Sequence, residues 1–190
     1  MKRLLLPIVA ASLAACVSPQ RDATITPPFA IDAQRAVAPL PATPVPNYTR
    51  VAPYVATSGD PGLVGVDTAK AAGFKLMLDL RQPAEAGVAE QAARAQDIGL
   101  RRVSLPMPAA AAAIPAFLDQ LTAYLDDPAN YPILLNCGSA NRAAGAWTLY
   151  RVRHGVPVRI ALEEGRAAGL TSREALVREV LGLPPLNGAK

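Results

Sequence analysis

Cysteine, histidine and aromatic side chains are all scarce in this chain. Two cysteines and one histidine among 190 residues exclude a disulfide framework and any Cys/His zinc cluster. Aromatic residues are 5% of the total, which argues against a large sheet sandwich packed on rings and for a core of small side chains. Charge of one sign is also lacking. There are 19 Lys and Arg against 15 Asp and Glu, and only 17 against 15 once Lys2 and Arg3 are set aside. That balance gives no footing for a nucleic-acid partner. What is present is an apolar fraction of 51% with 18% charged residues, which excludes wholesale disorder. The length suits one domain plus tails.

Lys2 and Arg3 precede an apolar run, Leu4 to Ala15, that ends in small residues. A charged start followed by so short a run reads as an export signal, because spanning a bilayer takes about 20 residues. Leu13-Ala14-Ala15-Cys16 resembles a bacterial lipobox, which implies a signal peptide over 1–15 and acylation of Cys16. An ordinary secretory signal with an incidental cysteine is the alternative. Val17 in place of an aspartate resembles lipoproteins sorted to an outer membrane. The expected location is therefore the bacterial cell envelope, lipid-anchored at the outer membrane and facing the periplasm. Residues 16–46 hold seven prolines in 31 positions and no apolar periodicity, so they read as a Pro-rich, semi-rigid tether. A compact domain is expected over 47–190.

Within that domain, apolar runs alternate with amphipathic stretches. Strands are expected at 51–56, 74–80, 100–105 and 131–136. Helices are expected at 62–72, 84–98, 113–126, 142–154, 158–168 and 172–182, with Gly73 and Gly99 as helix stops. Strands alternating with helices imply an α/β fold with a mostly parallel central sheet flanked by helices.

Ligands of open α/β folds bind beyond the carboxyl ends of strands, where a loop feeds a helix. Here that loop is Cys137-Gly138-Ser139-Ala140-Asn141-Arg142. Consecutive small residues let backbone N–H groups of Gly138, Ser139, Ala140 and Asn141 turn inward on an anion. The helix N-terminus adds partial positive charge, and Arg142 offers a planar fork for two oxygens. The same field favours thiolate over thiol at Cys137. A cysteine in such a cradle can attack phosphorus or sulfur, whereas a buried structural thiol is the plain alternative.

The run Leu134 to Trp147, with Ser58-Gly59-Asp60-Pro61, Gly73-Phe74-Lys75, Leu78-Asp79-Leu80-Arg81 and Glu164 to Thr171, resembles the bacterial tyrosine/dual-specificity-phosphatase-like proteins. The nearest group is the beta-lactamase-hydrolase-like phosphatases. The resemblance covers roughly 47–183 and implies a cysteine-phosphatase-like fold, with Cys137 as nucleophile and Arg142 as phosphate-binding residue. It implies no metal and no organic cofactor. The implied partner is a phosphorylated small molecule or a phosphoprotein. The four-residue gap between Cys137 and Arg142 also fits a rhodanese-type sulfurtransferase, and a catalytically weak anion- or phosphopeptide-binding module is a further alternative.

Several positions depart from the family. Asn136 stands where a histidine is common, Ala143 where a serine or threonine is common, and Ala140 where glycine is usual. If position 140 needs a positive φ, alanine costs about 1 kcal/mol. The stretch Pro106 to Ala113 carries no acid where such phosphatases place their aspartate. Asp119, Asp126 and Asp127 are the nearest candidates and none is selected. Slow turnover or a preference for good leaving groups is expected. His154 reads as a residue near a helix end, Asp79 and Arg81 as a structural ion pair, Trp147 and Tyr150 as core, and Glu163, Glu164 and Arg166 as a solvated helix face.

Overall fold

A computed structural model describes residues 45–186. The expected signal segment, the expected tether up to residue 44, and residues 187–190 lie outside the described residues. Five strands form one sheet: β1 (Thr49–Ala52), β2 (Val55–Ser58), β3 (Leu76–Asp79), β4 (Arg101–Ser104) and β5 (Ile133–Asn136). Their order is β1-β2-β5-β3-β4. Only β1 runs antiparallel, against β2, and the other pairings are parallel. The sheet is therefore mostly parallel, as the alternation of elements implies.

Among the described residues six α-helices cover it: α1 (Gly62–Ala71), α2 (Val88–Asp97), α3 (Ile114–Leu125), α4 (Asn141–Arg153), α5 (Val158–Ala167) and α6 (Glu174–Val180). Strand β5 lies at the centre and every residue in it is buried. Period-two alternation sends its side chains to opposite faces. Leu134 packs with Val66, Ala69 and Ala95 of α1 and α2. Ile133, Leu135 and Cys137 join the larger core with Ile114, Leu121, Trp147, Leu162 and Val177 on the other face. Helix α4 is buried all round from Ala143 to Tyr150, which explains its small-residue stretch. At Gly145 an added Cβ would already lie 3.4 Å from Val177. Trp147 and Tyr150 are core residues, each 1% exposed.

Two expected elements need correction. The single strand over 51–56 is two strands, because the chain reverses at Pro53-Tyr54 to make the β1–β2 hairpin. The apolar run continues through the turn, and run length alone cannot show a reversal. The helix expected from 84 begins at Val88, after Gly87 at φ 77°. Residues 81–87 are instead a loop, and this places Glu85 quite differently from a helical reading.

The Glu163, Glu164 and Arg166 face is also not simply solvated. Glu163 pairs with Arg159 on the surface. Glu164 receives two hydrogen bonds from Arg151, and Arg166 pairs with the buried Glu174. Sequence spacing within one helix cannot reveal partners on its neighbours.

Candidate active site

Strand β5 stops at Asn136, and Cys137 begins the loop that leads into α4. The thiol is buried at 1% exposure, and its amide donates to the Ser58 carbonyl at 3.1 Å. The segment after β2 pins the loop. Gly59 bridges Ser139, the Asp60 amide donates to the Gly138 carbonyl at 3.1 Å, and Asn47 Nδ2 donates to the Ser139 carbonyl at 3.2 Å. This approach requires glycine at 59, where a Cβ would stand 3.1 Å from the Pro46 carbonyl oxygen and 3.3 Å from that of Gly138.

Ala140 caps α4 at φ 70°, in the left-handed region. Alanine there stores about 1 kcal/mol of backbone strain. Its side chain is fully buried and faces Gly169, where a Cβ would come within 3.3 Å of the Ala140 methyl. The first intrahelical bond is Ala144 N–H to Ala140 O at 2.8 Å, so the amides that open α4 have no acceptor within the helix. Those orphan donors and the helix dipole face the loop. The Asn141 side chain is turned away from it. Its Oδ1 accepts from the amides of Thr171 and Arg173, and its Nδ2 donates to Ser172 Oγ at 2.6 Å. Asn141 thus anchors the loop to the turn before α6, and only its backbone is left for an anion.

Arg142 reaches back over the loop. A Cβ on Gly138 would lie 3.4 Å from its Nη2. Glu85 holds the guanidinium in this position, accepting from Nη1 at 2.5 Å and Nη2 at 2.6 Å. The Arg142 fork keeps the Glu85 carboxyl below the usual carboxylate range, against the opposing effect of burial. Arg142 is pushed up, chiefly by Glu85, with a further contribution from Cys137 beside it. A guanidinium has five N–H donors, and Glu85 takes one on each terminal nitrogen. The remaining donors of the fork are left for Cys137, with which Arg142 interacts, and for an oxyanion beside it.

Glu85, which holds Arg142, is the residue of the candidate site that the sequence reading missed. Its available signals were Pro83 and Gly87, which bracket it and mark a loop between strand and helix. Glu85 Oε1 also accepts from the Gln82 amide at 2.6 Å, so the loop closes on its own carboxylate.

A buried ion network supports this loop from below. Asp79 is fully buried and bonds Arg81 through Nε at 2.9 Å and Nη2 at 2.6 Å. Arg102 reaches the same carboxylate at 2.8 Å. Burial opposes ionisation of Asp79, but hydrogen bonds from Arg81 and Arg102 outweigh it and hold the carboxyl below the usual range. Arg81 Nη2 donates to Gln91 Oε1 at 2.6 Å, and Nη1 lies 3.0 Å from Asp60 Oδ1. Gln91 Nε2 donates to the same Asp60 oxygen at 2.7 Å. The structural ion pair is thus part of a chain running to the residue that grips Gly138.

The other sequence candidates stand elsewhere. Asp126 lies 3.1 Å from His154 Nε2 and accepts from Tyr150 Oη at 2.8 Å. Asp119 pairs with Arg153, and Asp127 caps a short 3-10 turn through the Ala129 amide. Asp119, Asp126 and His154 thus gather at the far end of α4, about 18 Å from Arg142 at 1.5 Å per residue. Ala143 is buried in the core with Cys137 and brings no hydroxyl to the thiol. Asn136 is fully buried, and its side-chain amide has no hydrogen-bond partner among the described residues. No group of three or more His, Cys, Asp or Glu that could hold a metal occurs among the described residues.

The same arrangement of sheet and helices occurs in solved structures. The core catalytic domain of the PP-IP phosphatase Siw14 of S. cerevisiae superposes with a TM-score of 0.60 at 17% identity, over 74% of this chain and 87% of that one. TpbA of P. aeruginosa gives 0.57 at 24% identity, over 77% and 92%. A kinase-associated phosphatase with its catalytic-site cysteine changed to serine gives 0.57 at 12% identity, over 70% and 89%. The chain shares the fold of these phosphatases. No protein-family model matches the chain, and no curated protein matches it in sequence. In this fold, Cys137 begins the loop after the central strand, Arg142 lies in the first turn of the helix that follows, and Glu85 rises from the loop after the neighbouring strand β3.

Proposed function

We propose that this protein is a cysteine-dependent phosphohydrolase acting on a phosphorylated small molecule or phosphoprotein. The observation that carries the reading is the Glu85-held guanidinium of Arg142 beside a buried cysteine in the loop that leads into α4. In this mechanism Cys137 Sγ attacks phosphorus and forms a phosphocysteine as the P–O bond to the leaving group breaks. Arg142 and the amides of 138–142 hold the equatorial oxygens as charge builds on them. Water then attacks phosphorus, the P–S bond breaks and the thiolate returns. Glu85 acts as a positioning residue, since its hydrogen bonds go to Arg142.

We further propose that the protein is exported and lipid-anchored through Cys16, at the outer membrane and facing the periplasm. The sequence from Lys2 to Cys16 supports that reading.

The test is hydrolysis of 4-nitrophenyl phosphate by the full-length protein under reducing conditions, beside Cys137→Ser. Turnover that disappears in the variant is expected. No turnover by the folded protein overturns the phosphohydrolase reading. A Cys137 persulfide formed from thiosulfate would then indicate sulfur transfer. Phosphate binding without reaction would indicate an anion-binding module.

A further inference from the structure

A cavity of about 380 Å³ opens between α5, α6 and the segment after α6, lined by Val158, Arg159, Leu162, Arg166, Arg178 and Leu183. The spacing along α5 explains half of this wall. Val158, Leu162 and Arg166 recur every four residues and so share one helical face. At the end of α6, Gly182 takes φ 65°, and the amides of Gly182 and Leu183 close the helix on the carbonyls of Glu179 and Arg178. That left-handed turn folds the chain back and sets Leu183 beside Val158 and Leu162.

The lining divides into three apolar bodies and three guanidinium groups. Leu162 is 5% exposed, and Val158 and Leu183 are half-buried. The buried Glu174 accepts from Arg166 Nε at 2.9 Å and Nη2 at 2.5 Å, and from Arg178 Nη1 at 3.4 Å. The two forks converge on one oxygen, Glu174 Oε1, so a single head group reaches both. Arg178 Nε donates to the Pro184 carbonyl at 2.7 Å. Arg159 pairs only with the exposed Glu163, and such a surface pair is weak. One buried carboxylate therefore faces two arginines, with a third cation at the rim. Among the described residues, Arg166 Nη1 and Arg178 Nη2 have no acceptor of their own. Both forks are already ordered, which removes part of the entropic cost of binding.

A bare inorganic anion would leave the apolar floor wet, and a neutral hydrocarbon would leave the guanidinium donors unused. Glu174 shows that the pair accepts a carboxylate. The volume lies toward the lower end of the ~300 to 1,000 Å³ typical of small-molecule sites, so the apolar part is short. We propose that the cavity between α5 and α6 binds a small amphipathic carboxylate, a short acyl chain ended by one carboxylate. Its head group bridges Arg166 Nη1 and Arg178 Nη2, and its hydrocarbon lies on Val158, Leu162 and Leu183. The site shares no residue with the Cys137 loop and stands whether or not the phosphohydrolase reading does.

The experiment is titration calorimetry of the full-length protein with octanoate, and with acetate, octanol and octyl phosphate for comparison. One octanoate per protein is expected, with Kd below ~1 mM and at least tenfold tighter than acetate or octanol. Arg178→Gln should weaken octanoate at least ~tenfold. Leu183→Glu, which sets a like charge on the half-buried floor, should abolish binding. Arg142→Gln should leave it unchanged. Acetate or octanol within tenfold of octanoate overturns the inference, as does octanoate binding untouched by both Arg178→Gln and Leu183→Glu. Loss of octanoate binding in Arg142→Gln overturns it by placing the carboxylate at the cysteine loop. Octyl phosphate bound tenfold tighter than octanoate overturns the carboxylate assignment. No octanoate binding, with sedimentation on vesicles containing phosphatidylglycerol, overturns it and makes the arginines a membrane-facing patch.

Discussion

The Glu85–Arg142 pair gives the most direct test of how this site is built. Glu85→Gln keeps the side chain's shape but removes the charge and replaces one accepting oxygen with a donor. That donor would face Arg142 Nη1 or Nη2, now 2.5 and 2.6 Å from carboxylate oxygens. Two unit charges about 4 Å apart attract by ~4 kcal/mol at an effective dielectric near 20. Most of this is offset by desolvation and by the ordering of two long side chains. Glu85 is 35% exposed and Arg142 15%, so the net stability at stake is about 1 kcal/mol. For a chain of this size that is a fall of ~2 to 4 °C in Tm.

The functional loss should be larger than this. A freed arginine regains part of its ~2 kcal/mol of rotamer entropy, which any oxyanion must then remove on binding. A further 1.4 kcal/mol is one factor of ten, so vanadate affinity and kcat/KM should each fall about tenfold or more, with the fold retained. Titration calorimetry with vanadate and steady-state kinetics read the two effects separately. Tighter vanadate binding by Glu85→Gln would refute the reasoning. It would mean that the carboxylate competes with the anion for the guanidinium rather than holding it in place.

Other consequences follow from the same geometry. Asp79→Asn leaves the buried Arg81 with Asp60 as its only carboxylate and Arg102 with none, and should cost about 3 kcal/mol, read by urea denaturation. Asp79, Glu85 and Glu174 all have folded-state pKa values below their ordinary 3.8, 4.5 and 4.5. Their stabilisation is therefore complete above those ordinary values and is lost as pH falls through the lower folded ones. Stability should decline below about pH 4.5, and the decline should be shallower in Asp79→Asn. Gly165→Ala would drive a Cβ into Thr148 Oγ1 and should destabilise by ~1 to 3 kcal/mol, whereas Gly155→Ala meets open space and pays only for its φ of 82°. Mass spectrometry of the native protein should show a lipid-bearing N-terminal peptide at Cys16, and an unmodified peptide beginning there would refute acylation.

Much of the architecture was legible because it rests on local patterns. The buried run Ile133–Asn136, the helix stops at Gly73 and Gly99, and the small-residue entry to α4 are all encoded within a few residues of chain. The strain at Ala140 could be posed as a question from the sequence, and its φ of 70° answers it. The β1–β2 hairpin was hidden because Val51 to Ala56, the end of one strand, the turn and the start of the next, reads as one apolar run.

What the sequence determined by itself was the alternation of strands and helices, the cysteine at a strand end and the arginine five residues later. Those are short-range facts of periodicity and spacing. Only the tertiary structure decided which charges meet. Glu85 is 57 residues from Arg142, Gln91 is 31 from Asp60, and Asn141 is 31 from Ser172. Nothing in the spacing of such residues specifies these pairings. They arise because parallel strands bring the segments at their carboxyl ends to one edge of the sheet, where charged and polar groups distant in sequence satisfy one another.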